Sequence, residues 1–268
     1  MQLVKYSWIG WEPFLLARQG DAIFRLKLFQ QEFSITLGEK HCIGFLRQGR
    51  HVQCPEQRKI DYGSNCSACK LEDDFFMCMP CTGETCINTK RRDACREEHY
   101  FIYLAAFDSV LKVGISFESR LQIRLVEQGA DMAARIGYVR DGKEARAVEQ
   151  WLKRYLNITD RMKGEEKHAL LFGNPNNAAP RMLAALKALR EKKFDWLLVK
   201  PEIYDLRQYY RLEHVVHQPT YLPLEDGKAI AGSVVAAKGN IIIFRTAKGF
   251  VAVNAHDMLG RKLEFVAN

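Results

Sequence analysis

The sequence of 268 residues predicts an α+β protein. Three observations support this fold class. Strand-like alternation occupies both ends of the chain, residues 54–99 hold seven of the eight cysteines, and residues 100–157 follow the order strand, strand, helix, strand, helix. We therefore predict four regions: a β-strand and zinc-binding cysteine-rich region at 1–99, an α/β core at 100–160, a helical connector at 161–222 and a small β-barrel-like domain at 223–268.

The two ends of the chain have the pattern of short antiparallel strands. Within residues 1–53, FRLKLF, EFSITLG and HCIGFLRQG alternate between apolar and polar residues and are separated by glycines. The last part of the chain contains AIAGSVVAAKG, NIIIFRTAKG, FVAVNAHDMLG and RKLEFV. Because each apolar run ends near a glycine-containing turn, this pattern is typical of a small barrel or a curled sheet.

Composition narrows the class of protein and of partner. The hydrophobic fraction of 47% and the charged fraction of 27% are ordinary for a folded globular chain. The net charge of +8 favours a polyanionic partner such as nucleic acid, although basic proteins without such a partner also exist. No run approaches the roughly 20 apolar residues of a membrane span, and the start MQLVKYSWIGWEPF lacks a secretory signal. We therefore expect a cytoplasmic protein without a membrane partner.

Two C-x-x-C pairs dominate the cysteine-rich segment, Cys66/Cys69 and Cys78/Cys81. A gap of two residues allows both thiolates of a pair to face one ion from a tight turn. Clustered cysteines in a reducing compartment are more often metal ligands than disulfides. The two pairs predict a closed tetrahedral zinc site that stabilises a segment poor in aliphatic residues.

The identity of the ligands stays open at this level. Cys86 and Cys95 are alternatives to the second pair, and Cys54 brings the candidates to seven, which is enough for two ions. An iron–sulfur cluster uses the same thiolates, and disulfides or plain buried thiols are the remaining interpretations. Cys42 lies in the apolar run HCIGF, and we interpret it as a small core residue.

The middle of the chain carries charged residues at the borders of two apolar helix faces. YFIYLAAF and VLKVGIS are predicted strands, and Gly114 in the second leaves room for a close approach. In the following helix Arg124 lies beside the stripe of Leu121 and Leu125. In the last helix Glu149 lies beside the stripe that contains Trp151 and Leu152. With tyrosine hydroxyls, such a guanidinium and carboxylate could hold a phosphate and a divalent cation.

The connector contains one clear predicted helix. Pro180 is expected to open PRMLAALKALREKK, with Leu183, Leu186 and Leu189 on one buried stripe. The preceding FGNPNN has the composition of an ordered turn, and we assign its asparagines no role in the site.

This order of elements resembles the GIY-YIG endonuclease module. The segment Phe101-Ile102-Tyr103 stands in the position of the first triplet of that family, and Lys112-Val113-Gly114 in that of the second. The resemblance implies that Arg124 steadies the scissile phosphate, Glu149 holds a catalytic Mg²⁺ or Mn²⁺, and Tyr103 contacts or activates the nucleophilic water. Lys112 is a further candidate for binding phosphate, and the alternative interpretation is a lysine that extends its ammonium to solvent.

Three departures from the GIY-YIG pattern bear on activity. The second triplet lacks its tyrosine, and no counterpart is found for the asparagine that often closes the module. The gap between Gly114 and Arg124 is longer than usual in that family, so Arg120 is a rival for the phosphate role.

Most of the chain also resembles the uncharacterised prokaryotic family known as domain of unknown function 2797. The resemblance rests on HCIGFLRQGRHVQCP, the Cys66/Cys69 pair, HYFIYLAAF, KVGIS, RLVEQGA and GSVVAAKGNIIIF. Because these motifs are separated along the chain, they are specific for kinship. They imply no activity, since that of the family is not established.

The leading hypothesis is a metal-dependent nucleic-acid phosphodiesterase with structural zinc. We expect the run Lys90-Arg91-Arg92 and Arg120 to contact the nucleic-acid backbone. The alternatives are a binding module whose catalysis has lapsed and a protein that modifies tRNA or rRNA through its cysteine cluster. The sequence leaves the choice between DNA and RNA, and the oligomeric state, open.

Overall fold

Strands dominate the computed structural model, which describes residues 1–265. The strands are β1 (Gln2–Ile9), β2 (Glu12–Gln19), β3 (Ala22–Lys27), β4 (Glu32–Lys40), β5 (Phe45–Arg47), β6 (Arg50–Val52), β7 (His99–Phe107), β8 (Val110–Phe117), β9 (Met132–Arg140), β10 (Leu197–Asp205), β11 (Thr220–Tyr221), β12 (Ala229–Lys238), β13 (Ile241–Thr246), β14 (Gly249–Asn254) and β15 (Arg261–Phe265). The helices are α1 (Ser67–Glu72), α2 (Arg92–Glu97), α3 (Leu121–Gln128), α4 (Gly142–Tyr155), α5 (Gly164–Ala169), α6 (Pro175–Arg190) and α7 (Ala255–Met258).

The described chain divides into two units. The first unit comprises Met1–Phe76 and the described residues from Tyr210 onward, and the second comprises Met77–Tyr209. The mixture of sheets with fewer helices confirms the predicted α+β class. None of the described helices has both the length and the apolar character that crossing a membrane requires.

The first unit is built on one nine-stranded sheet in the order β11-β14-β13-β12-β4-β15-β1-β2-β3. Strand β4 pairs antiparallel with β12 on one side and with β15 on the other. Strand β15 pairs in turn with β1, and β1 with β2. The strands expected at both ends of the chain are present, and they belong to the same sheet.

This pairing shows that the prediction of a separate β-barrel-like domain at the C-terminal end is wrong. No closed barrel forms among residues 1–265, and the tail strands continue the sheet of the N-terminal strands. The physical reason is that β4 offers two unpaired edges, which β12 and β15 satisfy with backbone hydrogen bonds. A curled sheet and a barrel have the same local alternation, so the sequence pattern does not distinguish them.

The second unit has a four-stranded antiparallel sheet in the order β10-β9-β7-β8. Its apolar core contains Ile102, Leu104 and Val113 from the strands, Leu152 from α4, and Leu189 from α6. The order of β7, β8, α3, β9 and α4 along the chain is the predicted strand, strand, helix, strand, helix. Strand β7 is buried over eight consecutive residues, in agreement with its unbroken apolar sequence.

The connector differs from its prediction in three places. Helix α6 begins at Pro175, with the side chain of Asn174 accepting a hydrogen bond from the backbone N–H of Asn176, so Pro180 lies inside the helix and does not open it. Leu186 and Leu189 are buried as expected, but Leu183 is exposed. After α6 the chain forms the strand β10, where the sequence predicts an irregular helical region.

Candidate functional site

Four cysteines of the first unit form a buried group that could hold a structural metal such as zinc. Cys42, Cys54, Cys66 and Cys69 are all buried, and their sulfur atoms all lie within 4.8 Å of one another. We refer to these four residues as the Cys42 cluster. Four convergent thiols with no open position are the donor set of a closed tetrahedral zinc site.

Local structure brings these thiols together. Cys66 is the N-cap of α1 and Cys69 lies in its first turn, so the C-x-x-C pair turns both sulfurs to one side. The backbone N–H of Cys66 donates to Sγ of Cys42 over 3.1 Å, and the N–H of Gly44 donates to the same sulfur over 3.4 Å. Phe45, from β5, packs against the four thiols. Backbone N–H donors of this kind favour a thiolate over a thiol.

Gly44 is required where the loop of Cys42 meets the loop of Cys54. Its φ is +100°, and a Cβ at this position would lie 1.9 Å from the carbonyl oxygen of Val52 and 2.9 Å from the backbone nitrogen of Cys54. Both the backbone conformation and the space therefore require glycine.

The thiols of the Cys42 cluster shift one another's pKa values in opposite directions. Burial raises the pKa of Cys69, and the hydrogen bonds that its own S–H donates to the other three sulfurs raise it further. Burial also acts to raise the pKa of Cys66, but hydrogen bonds from the backbone of Cys69 and from neighbouring thiols lower it more strongly, to about 7. A divalent cation would resolve this conflict, because it stabilises all the thiolates together.

Two predictions about the cysteines need correction. Cys42 is a member of the cluster and does not serve only as a core residue. Cys78 and Cys81 do not join Cys66 and Cys69, because they belong to the second unit, as do Cys86 and Cys95. The reason is the tertiary fold, which joins the C-x-x-C pair to two single cysteines, Cys54 and Cys42, at positions 12 and 24 residues before Cys66.

The second unit contains a pocket of about 570 Å³. All four residues predicted as catalytic line it: Tyr103, Lys112, Arg124 and Glu149. We call it the Tyr103 pocket. Its charged lining is predominantly basic, with Lys112, Arg124, Arg146, Lys153 and Arg161 against Glu149 and Asp160. Such an excess of positive charge favours an anionic ligand.

Tyr103 lies at the base of the pocket on β7, paired with Gly114 of β8. A Cβ on Gly114 would lie 2.4 Å from both Cζ and Oη of the tyrosine, so the glycine makes room for the ring. The tyrosine is fully buried, and its hydroxyl has no hydrogen-bond partner among the described residues. An unsatisfied buried hydroxyl costs about 1–3 kcal/mol.

Lys112 lies on the same strand, β8, two residues before Gly114. It is buried, its Nζ donates to Oε1 of Gln128 over 2.9 Å, and the ammonium lies 5.9 Å from the centre of the Tyr103 ring. The lysine thus brings a desolvated positive charge to the tyrosine side of the pocket.

Glu149 projects from α4 with only 4% of its surface exposed. Its Oε2 accepts from Nη1 of Arg146 over 2.6 Å, one helical turn away. The other oxygen, Oε1, makes no hydrogen bond to the described residues. One oxygen of the carboxylate is therefore held by Arg146, and the other is open to the pocket. Asp160, the second acid of the pocket, is fully engaged by Gln150 and Lys153.

Arg124 on α3 and Arg120 at the N-cap of α3 differ in position. Arg124 lines the pocket, whereas Arg120 is not among the lining residues. Both are exposed and lie close to Glu127, with distances of 3.9 Å from Arg124 and 3.4 Å from Arg120. The geometry favours Arg124 over its rival.

The basic run of the cysteine segment is mostly ion-paired. Arg91 donates to Glu98, and Arg92 makes a bidentate pair with Asp141 over 2.7 and 2.6 Å. Lys90 is exposed. Because two of the three charges are compensated by acids of the same unit, the run is weaker as a track for a phosphate backbone than its sequence indicates.

The sequence did not indicate one further cation near the pocket. Burial, together with the charges of Lys112 and Arg124 and against an opposing effect of Glu127, lowers the pKa of Lys167 to about 7. Nothing in the local pattern of α5 marks this lysine, since its neighbours come from β8 and α3. Asn174 and Asn177, in contrast, bind Oδ1 of Asp108 over 2.8 and 3.0 Å at the turn after β7.

Comparison with known proteins identifies kinship and no activity. No curated protein and no solved structure matches this chain. A family model described as protein of unknown function (DUF2797) matches residues 30–263. That match runs from just before β4 to β15 and so includes both the Cys42 cluster and the Tyr103 pocket. The chain therefore belongs to the DUF2797 family.

Proposed function

We propose that the second unit is a metal-dependent nucleic-acid phosphodiesterase of the GIY-YIG type, and that the Cys42 cluster holds a structural zinc ion. One observation carries the proposal. The hydroxyl of Tyr103 is buried without a partner in the same basic pocket as the carboxylate of Glu149, of which one oxygen is open to the pocket. Polar groups left unsatisfied inside a pocket are candidates for contact with substrate.

The donor set of the pocket fits a Mg²⁺ or Mn²⁺ ion. These ions are commonly bound through one or two carboxylates together with substrate phosphate and water. Oε1 of Glu149 has no competing hydrogen bond, while Arg146 fixes the orientation of the carboxylate through Oε2. When bound, the metal supplies charge neutralisation at the phosphate and lowers the pKa of a bound water.

The remaining groups have separate roles in this proposal. Arg124 and Lys112 bind the non-bridging oxygens of the scissile phosphate. The hydroxyl of Tyr103 orients the attacking water, and that hydrogen bond removes the cost of its burial. Lys153 holds Asp160 through a hydrogen bond of 2.9 Å and supports the opposite wall.

The charge of the pocket favours a nucleic-acid substrate. Five basic side chains against two acidic ones leave an excess positive charge in a concave site. The whole chain has a net charge of +8. A phosphodiester backbone gains from both through counterion release.

A binding module without catalysis is the second candidate. Two observations favour it: the ion pair between Glu149 and Arg146, and the presence of Lys112 where the GIY-YIG pattern has a tyrosine. In this case the pocket binds a phosphate, and the carboxylate of Glu149 only positions Arg146.

The test is a cleavage assay on purified protein. Labelled single-stranded, duplex, branched and tRNA substrates are incubated with Mn²⁺ or with a chelator. Glu149→Gln keeps the shape of the side chain and removes its charge. Glu144→Gln, an exposed glutamate on the same helix, is the matched control.

Cutting that requires Mn²⁺, persists in Glu144→Gln and disappears in Glu149→Gln supports the phosphodiesterase. Salt-sensitive binding without cutting by any of the proteins favours the binding module. Cutting that survives Glu149→Gln rejects the assignment of Glu149.

A further inference from the structure

The segment 77–98 of the second unit lacks a core of its own. Within these described residues, only Gly83 and Asn88 are buried, and no apolar side chain is. The segment has little regular structure, consisting of short 3-10 turns at Phe76–Cys78 and Thr89–Arg91 followed by the short helix α2. A stretch of this length without apolar burial needs another source of stability, and in small cysteine-rich segments that source is often a metal.

Four cysteines lie in this segment with the spacing C-x₂-C-x₄-C-x₈-C: Cys78, Cys81, Cys86 and Cys95. All four are half-buried and none forms a disulfide. Cys78 and Cys81 share a tight turn, in which the N–H of Cys81 donates to the carbonyl oxygen of Cys78 over 3.3 Å. This arrangement presents two thiols from one turn, as metal-binding C-x-x-C pairs do.

Asn88 links the first pair to the third cysteine. Its Nδ2 donates to Sγ of Cys78 over 3.2 Å, and its carbonyl oxygen accepts from Sγ of Cys86 over 3.6 Å. Cys95, from α2, is within electrostatic range of Cys78. Asn88 therefore joins Cys78 to Cys86, and the fold places Cys95 near Cys78.

Arginines surround these thiols. Arg91 is within electrostatic range of Cys78, and Arg146 is within range of Cys81. Arg92 is within range of both Cys86 and Cys95. A zinc ion with four thiolates has a net charge of −2, which nearby guanidinium groups stabilise. Because Arg91 and Arg92 are also paired with Glu98 and Asp141, their charges contribute to this stabilisation only in part.

We propose that Cys78, Cys81, Cys86 and Cys95 bind a second zinc ion, separate from the one expected at the Cys42 cluster. Within residues 1–265 the Cys42 cluster is the only group of three or more donor side chains whose ligand atoms all lie within 4.8 Å of one another, so the second site would form by closure of the loop around the ion. Coupling of this kind between metal binding and local folding is usual for zinc knuckles.

The second zinc fixes one wall of the Tyr103 pocket. Residues 79–82, which include the proposed ligand Cys81, line that pocket. The backbone at Gly83 packs directly on α4, since a Cβ there would lie 2.3 Å from the backbone nitrogen of Ala147. At the start of the same helix, a Cβ on Gly142 would lie 2.6 Å from Sγ of Cys95. The metal site thus anchors the segment to the helix that carries Glu149.

The experiment counts metal on the full-length chain. Protein purified with reductant and dialysed without added metal is analysed for zinc and iron by mass spectrometry. We expect two zinc ions per chain and no iron. The double variant Cys78→Ser/Cys81→Ser is expected to retain one zinc, and the matched variant Cys66→Ser/Cys69→Ser is also expected to retain one. One zinc in the wild type that is kept by the first variant and lost in the second overturns the proposal, as does iron in place of zinc.

A second measurement requires no variant. The wild-type protein is alkylated with and without a zinc chelator, and each cysteine is followed by peptide mass spectrometry. We expect Cys78, Cys81, Cys86 and Cys95 to react only after the chelator is added. Reaction of these four at the rate of free thiols without chelator overturns the proposal. Neither readout depends on cleavage, so failure of the phosphodiesterase and failure of the zinc site are distinguishable.

Discussion

Single residues in this protein are explained by the neighbours that they accommodate. Gly114 is needed because the ring of Tyr103 occupies the space of its side chain, and Gly44 because the carbonyl oxygen of Val52 does so. In the sequence Gly114 indicates only a close approach, and Gly44 carries no specific signal. The identity of the approaching group depends on strand register and on loop packing, which separate the partners by 11 and 8 residues.

The substitution Tyr103→Phe is expected to stabilise the second unit. It removes a buried hydroxyl that has no partner, and the gain is about 1–3 kcal/mol in the free energy of unfolding. Urea unfolding measures this change. Tyr6→Phe is the control, because the hydroxyl of Tyr6 donates to the carbonyl oxygen of Gly239 over 2.5 Å and its loss is expected to destabilise by about 1 kcal/mol. Destabilisation by Tyr103→Phe of the same size as the control would show that the hydroxyl is satisfied, and would remove the main support for the proposed site.

Gly44→Ala is expected to abolish metal binding at the Cys42 cluster. The added Cβ meets the carbonyl oxygen of Val52 at 1.9 Å, which forces apart the loops that carry Cys42 and Cys54. Gly49→Ala is the matched control, since Gly49 also has a positive φ, of +74°, but no atom within 4 Å of the added Cβ. The control is expected to lose about 1–2 kcal/mol from backbone strain and to keep its zinc. Equal zinc content in the two variants would contradict the role assigned to Gly44.

At the scale of elements, strands and helices with a strong period are predictable and those with interrupted patterns are not. The unbroken apolar run of β7 and the amphipathic α4 were predicted from sequence alone. Strand β10 was missed because it is a half-exposed edge strand that contains Pro201, and its pairing with β9 shifts register between Leu197 and Glu202. Proline lacks an N–H and is tolerated in strands mainly at edges and bulges, so its presence lowers the strand signal.

The start of α6 shows the same limit. The signal was present as Asn174 followed by Pro175, which is an N-cap followed by proline at the first helical position. The sequence pattern favours Pro180 as the first residue of the helix because it directly precedes the apolar periodic stretch. Proline is favoured at the first helical position and costs a backbone hydrogen bond further in, so Pro180 alone favours the later start. The capping hydrogen bond from Asn176 to Asn174 fixes the earlier one.

Helix α5 gives the second unit a pH-dependent stability through Lys167. The folded pKa of this lysine is lowered to about 7 by burial and by the charges of Lys112 and Arg124. In the unfolded chain the pKa is about 10.4. Between these two values the unfolded chain holds a proton that the folded chain lacks, so the free energy of unfolding rises with pH from about 7 to about 10. Below pH 7 both states are protonated and this contribution becomes constant.

Unfolding by urea at pH 7 to 10 tests this expectation. The rise attributable to Lys167 disappears in Lys167→Met and persists in Lys187→Met, a variant of an exposed lysine on α6. Identical pH profiles for the wild type and Lys167→Met would show that the lysine titrates normally. The same protonation adds a positive charge near the pocket, so binding of a labelled oligonucleotide is expected to tighten as the pH falls through 7.

At the scale of the whole molecule, the ends of the chain form one sheet and the middle forms another. Strand β4 pairs only with β12 and β15, although nearly 200 residues separate it from β12. Local periodicity contains no information about such pairing, and the same is true of the Cys42 cluster, which joins single cysteines from two loops to the C-x-x-C pair. The four catalytic candidates, in contrast, lie within about 50 consecutive residues of one unit, where the resemblance of a continuous segment is informative.

The two units therefore differ in whether a fragment of the chain can fold. The fragment 77–209 contains every strand of the four-stranded sheet and both helices of its core, so we expect it to fold alone with cooperative unfolding.

The fragment 1–76 retains β1–β3, but β4 loses both neighbours, and two rows of backbone groups are left unpaired. We expect this fragment to be unfolded by circular dichroism and by NMR dispersion, even with zinc added, because a metal at the Cys42 cluster cannot replace the ladders with β12 and β15. Joining 1–76 to 210–268 by a short flexible linker is expected to restore folding. A folded 1–76, or a fragment 77–209 that unfolds without cooperativity, would contradict the division of the chain into these two units.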